Sequence, residues 1–255
     1  MLPVNDRLFP SAYYVSLRQM RPYKILLVLV LVIGSTFACK KGNREKPSDN
    51  IVMQGHVDSI MEGKFNTFYE LDSLASMNHV YALGAMDSLK GEIQIFDDEA
   101  FHSIADGDSI VVGSTNISRA SLLVYAEVND WVTYNLPVSV ANMEALVGYL
   151  QYDEQFEELR GDDPFVFLLE GQAEQLDWHV VVKSIPETRH GSVQGTLEEV
   201  DVEIFGIYSK EHEGTITHSG IPVHMHFKTA DGMLAGHVDH LELGPEMTLR
   251  LPKSK

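Results

Sequence analysis

Gly220-Ile-Pro-Val-His224-Met-His226-Phe-Lys-Thr-Ala-Asp231-Gly232-Met-Leu-Ala-Gly236-His237-Val-Asp239 reads as a β-hairpin that carries three histidines. Alternate side chains of a strand share one face, so His224 and His226, flanked by Val223 and Phe227, project together. Asp231-Gly232 is a preferred two-residue turn, and Met233 to Val238 is apolar enough to be the return strand. The hairpin then brings His237 beside the pair. Three neutral imidazoles without a fourth protein ligand leave a coordination position open, the arrangement of a catalytic rather than a structural zinc site. Imidazole also suits copper, iron or nickel, so spacing leaves the metal's identity open.

Outward from the hairpin, the chain is strand-rich. Strands are expected at Val80–Met86, Glu92–Phe96, Phe101–Ile104, Ser109–Val112 and Leu122–Thr133, with turns at Asp97-Asp98 and Asp106-Gly107. Further strands are expected at Phe165–Leu169, Trp178–Ile185 and Val202–Tyr208. Helical spacing marks Ile51–Met61, then Asn66–Ala75 with Asn66 as its cap, then a helix capped by Ser139 and ending near Leu150. The acidic stretch Asp153–Asp163 reads as a solvated loop or helix face. The class expected is α+β, with mostly antiparallel or mixed sheets in two packed lobes and a few flanking helices. No Gly-x-Gly-x-x-Gly, phosphate loop or Gly-x-Ser-x-Gly elbow occurs.

The first 39 residues read as an export signal. Met20-Arg-Pro-Tyr-Lys24 is a basic start, Ile25–Ile33 an apolar run too short to span a bilayer, and Cys39, the only cysteine, follows a small residue. This is the pattern of a bacterial lipoprotein signal with Cys39 as the lipidation site, followed by a polar tether over 40–50 and a folded domain over 51–255. The expected location is outside the cytoplasm, on a lipid anchor facing the periplasm or cell exterior. A single cysteine rules out an intrachain disulfide. Cleavage would move the formal charge from −18 by three units to −21, because residues 1–39 hold four basic residues and one acidic one. So acidic a surface, with no basic stripe, argues against nucleic acid as a partner.

Four segments, in order, resemble the α-acetolactate decarboxylase family. The hairpin is similar to its Gly-Tyr-His-x-His-Phe, acidic turn and Gly-Gly-His-Val signature. Asp58–Leu71 resembles its opening helix, Leu83–Ile95 its segment ending in Asp-Gly-Glu, and Val181–Pro186 its Val-Arg-x-Val-Pro. The resemblance implies that His224, His226 and His237 hold Zn2+, and that Glu92 transfers a proton near the metal. It also implies a small anionic hydroxy-keto acid as substrate and pairing into a homodimer. Lys183 stands where the family has a substrate-contacting arginine, Ala85 where it has a threonine, and Ala235 where it has a glycine. Eighteen residues follow His237, fewer than in the family's tail, which returns a second glutamate; Glu242 and Glu246 are the nearby acids. The reading is a carboxy-lyase making acetoin and CO2 from 2-acetolactate. The alternative is an exported metal-binding relative that acts on a different hydroxy-keto acid or only binds a small molecule.

Overall fold

Two antiparallel sheets share the strands, and the computed structural model describes them over residues 51–62, 64, 69–107, 109–114, 118–157, 164–183 and 190–253. Cys39, the signal, the tether and the expected Asn66 cap lie outside the described residues. The first sheet contains β1 (Val52–Gln54), β2 (Tyr69–Glu70), β3 (Val80–Met86), β4 (Glu92–Phe96), β5 (Glu99–Asp106), β6 (Ser109–Gly113) and β7 (Arg119–Glu127). Its order is β1-β7-β3-β4-β5-β6, with β2 also on β7. The second contains β8 (Trp131–Asn135), β9 (Phe165–Lys183), β10 (His190–Tyr208), β11 (Val223–Thr229), β12 (Ala235–Leu243) and β13 (Thr248–Pro252). Its order is β10-β11-β12-β9-β13-β8, and β10 also pairs β9, so β9, β10, β11 and β12 close into a ring.

Period-two patterning explains why the second sheet lies in the middle of the domain. Phe165, Phe167 and Leu169 of β9 join a core with Leu146, Leu150 and Phe156, while Val166 and Leu168 face the first sheet with Tyr81, Leu83 and Val124. Helix α2 (Met143–Tyr152) therefore covers one face of the second sheet and the first sheet covers the other. Each such fully buried side chain contributes about 1.5–3 kcal/mol of transfer free energy. The two lobes expected are thus two sheets sharing a core, and every strand pairing among the described residues is antiparallel.

Several local expectations change. Ile51–Met61 is not one helix: Val52–Gln54 pairs with Leu123–Tyr125 of β7, and only Val57–Met61 (α1) is helical. Gly55, at φ 94°, separates them because its backbone lies against Ser121 O, where a Cβ would come to 2.6 Å. Beyond it Tyr69–Glu70 is a strand and Asp72–Ser76 a single 3-10 turn. Leu122–Thr133 divides into β7 and β8. The segments expected at 165–169 and, as far as the described residue 183, at 178–185 are one strand, β9, paired along almost its whole length with β10. The cap of α2 is Asn142, whose side chain accepts from Ala145 N at 2.9 Å; Ser139 lies in the preceding turn.

Candidate metal centre and active site

The hairpin β11–β12 forms, with His226 directly opposite His237. Its turn is longer than the two residues anticipated, because Gly232 takes φ 68° while Asp231 keeps a negative φ, so the double positive φ of a type I′ turn is not met. Instead Gly232 N donates to Thr229 O at 2.9 Å, and Asp231 Oδ1 accepts from Met233 N and Thr229 Oγ1. His224, His226 and His237 are all buried, at 4, 1 and 7 % exposure. Their candidate ligand nitrogens lie within 4.8 Å of one another, with ring centroids 4.9–5.3 Å apart.

Backbone carbonyls orient two of these rings. His224 Nδ1 donates to Ile216 O at 2.6 Å and His226 Nδ1 to Ile93 O at 3.1 Å. A carbonyl only accepts, so Nδ1 carries the hydrogen and Nε2 keeps its lone pair for a metal, the outer-shell support usual for ligating histidine. Burial pushes the His224 pKa down to about 3, with His218 adding repulsion, and drives His226 and His237 well below their ordinary value. All three are therefore neutral, as metal ligation requires. The donor set fits a divalent borderline ion such as zinc.

Strand β4 ties this cluster to the first sheet through three consecutive residues. Glu92 Oε1 accepts from Val181 N at 3.1 Å, at the edge of β9 that β12 leaves open beyond the pairing of His237 with His179. Ile93 O receives His226. Gln94, with Oε1 turned to β12, accepts from Gly236 N at 3.1 Å. Ser103 of β5 adds a bond to Ala235 O at 2.6 Å. Glu92 Oε2 stands 3.9 Å from His226 Nε2, too far for a hydrogen bond. Burial lifts the Glu92 pKa to about 7, against the opposing influence of His179 and the Val181 N–H.

Three cleft residues, His179, His218 and Asp239, are not marked by any sequence pattern. His179 on β9 sits directly opposite His237 on β12, so His226, His237 and His179 form a row across three strands. Its Nδ1 contacts both Asp239 oxygens, at 2.8 and 2.9 Å. Burial would lower the His179 pKa, but the Asp239 hydrogen bond and the Glu92 charge outweigh it and raise it. His218 stands 5.6 Å from His237, ring to ring, and its pKa is lowered by burial and by His179. The cleft, of about 730 Å3, also takes in Ala85 and Trp178; among the described residues its lining includes no lysine or arginine. Lys183 ends β9 opposite His190, and its side chain lies outside the described residues. Neither Glu242, which bonds His240 at 3.0 Å, nor Glu246 lines the cleft. The C-terminal residues are instead used as β13, paired between β8 and β9.

A family model for alpha-acetolactate decarboxylase matches residues 51–254. The chain belongs to the alpha-acetolactate decarboxylase family. Solved structures agree on the fold. A Bacillus subtilis strain 168 alpha-acetolactate decarboxylase is similar at 16 % identity and TM-score 0.60, covering 80 % of this chain and 85 % of its own. The acetolactate decarboxylase of Bacillus subtilis subspecies spizizenii matches at 15 % identity and TM-score 0.61, over 80 % and 86 %. A Staphylococcus aureus protein of unknown function, described as similar to alpha-acetolactate decarboxylase, matches at 11 % and 0.61, over 80 % and 85 %. No curated protein matches the chain by sequence.

Proposed function

We propose that this family member is a zinc-dependent carboxy-lyase converting 2-acetolactate to acetoin and CO2, with the metal held by His224, His226 and His237. The observation that carries the reading is the buried trio of neutral imidazoles facing a buried carboxyl group 3.9 Å away. Zinc bound there supplies a Lewis acid that favours growing negative charge on the substrate's keto oxygen.

The chain's own residues supply the rest. Breaking the bond to the carboxylate leaves its electron pair on the hydroxyl-bearing carbon, delocalised onto the neighbouring carbonyl as an enediolate. That carbon needs one proton as CO2 departs. Glu92, whose pKa burial brings to about 7, holds that proton at neutral pH and is recharged from solvent afterwards. His179, its ring fixed by Asp239, is the side chain placed to orient the substrate carboxylate on this wall. The carboxylate-binding role expected of Lys183 falls to it in this reading. Apolar residues Leu89 and Leu122 exclude water on the opposite wall.

Purified protein loaded with zinc should release acetoin from racemic acetolactate, and His226→Ala should abolish the release. Stoichiometric zinc without turnover would leave the alternative of a relative that binds metal and acts on a different hydroxy-keto acid, or only binds one. Export on a lipid anchor at Cys39 belongs to the same proposal and requires that the substrate reach the protein outside the cytoplasm.

A further inference from the structure

The cleft has two chemically different walls. Every imidazole in it comes from the second sheet or the loop leading into β11. The facing wall is built from α1, β3, β7 and the 3-10 turn at Asp87–Leu89. It contributes Val57, Ile60, Ala85, Leu89 and Leu122, a cluster in which none is more than 8 % exposed, with Val181 packed against it. No side-chain carboxylate, amide or hydroxyl of these elements interrupts that lining, and among the described residues the one carboxylate the first sheet adds to the cleft is Glu92 of β4, paired with Ala85. Its position is fixed: Val57 N donates to Thr215 O at 2.8 Å and Asp58 N to Gly214 O at 2.9 Å, anchoring α1 to the segment that precedes His218.

Such a wall exceeds what acetolactate can cover. That acid presents only two methyl groups, whereas clefts of roughly 300–1,000 Å3 hold drug-sized ligands, and this one measures about 730 Å3. We propose that the preferred ligands are 2-hydroxy-3-oxo acids whose alkyl substituent is several carbons longer than methyl, with that chain lying on Val57, Ile60, Ala85, Leu89 and Leu122. The proposal rests on the decarboxylase reading for the oxygen-bearing end of the ligand and adds the class of its apolar end. Each methylene laid on the wall contributes about 0.8 kcal/mol, close to a fourfold gain in affinity.

The test uses the zinc-loaded full chain and unreactive 2-hydroxy-2-methylalkanoates from propanoate to hexanoate, titrated by calorimetry. Dissociation constants are expected to fall about fourfold per added methylene, with a heat-capacity change that becomes more negative along the series. Ala85→Leu, which fills the wall, and Val57→Ser, which makes it polar, should each flatten the series. Affinity that is constant or weakens with chain length overturns the inference. These acids lack the keto group and are not decarboxylated, so absence of acetoin formation from acetolactate counts against the proposed reaction alone, while the affinity series tests the wall by itself.

Discussion

Removing divalent metal and lowering the pH from 7 toward 5 should destabilise the domain steeply. The folded chain keeps His224, His226 and His237 neutral, with pKa values depressed from 6.5, whereas the unfolded chain protonates them near 6.5. A depressed folded value means stability that is present above the unfolded pKa and lost as pH falls. Each imidazole then costs about 1.4 kcal/mol per pH unit, so the three cost about 4. Glu92 acts in the opposite sense. Its folded pKa of about 7 exceeds 4.5, so between these values the folded state holds a proton that the unfolded state lacks, and stability rises as pH falls. His218, with a lowered value, acts with the trio and His179, with a raised one, acts with Glu92, so these two oppose each other; the trio against Glu92 leaves a net of two protons, about 3 kcal/mol per pH unit between pH 6 and 5. Half-titration of the unfolded histidines makes the slope smaller between pH 7 and 6, so the loss from pH 7 to 5 sums to about 3–4 kcal/mol, a large part of a domain stability of about 5–15 kcal/mol. Urea unfolding followed by circular dichroism, in chelator, at half-unit steps from pH 7.5 to 4.5 measures the slope directly. A flat or inverted profile would refute the reasoning, as would a His226→Leu variant with an unchanged slope. Added zinc should shift the transition to lower pH, because it binds only the neutral rings.

Two further expectations follow from the site. Glu92→Gln keeps the shape and an acceptor for Val181 N but removes the transferable proton; acetoin formation should fall about 100-fold or more while thermal stability is unchanged or higher, as rate assays and melting curves will show. Gly236→Ala places a Cβ 2.9 Å from His179 O and 3.2 Å from Val180 Cγ2, which forces β12 away from β9 beside His237. We expect about 10- to 100-fold weaker zinc binding by competition with a chelating dye, and unaltered affinity would show that the strand yields without moving the ligand.

The candidate metal ligands are legible in the sequence because two of them are neighbours in one strand and the third is a hairpin away, so local periodicity suffices to bring them together. His179 and Asp239 are not legible as a pair, since what joins them is the pairing of β9 with β12 across 60 positions, and register at that distance leaves no local trace. Strand β9 itself reads as separate pieces because Gln172, Glu174, Gln175 and Asp177 resemble loop chemistry. In the structure they belong to a ladder in which Gly171 (φ 141°) pairs with Val202 of β10 and the register is interrupted at Glu199 (φ 49°), opposite Glu174. Helical spacing overstates the N-terminal helix for a related reason: Val52–Gln54 fits the pattern, yet the open edge of β7 offers its backbone a ladder that a short helix could not match. Resemblance puts Ala85 near the site, and the structure sets it in the cleft lining.

The three successive contacts of β4, through Glu92, Ile93 and Gln94, bind the proposed proton carrier, one candidate ligand and the strand of another into a single latch between the sheets. Reaction geometry and sheet spacing cannot drift independently in such an arrangement. Gentle warming that merely slackens the seam would therefore silence turnover while the strands remain intact, so inactivation should run several degrees ahead of melting.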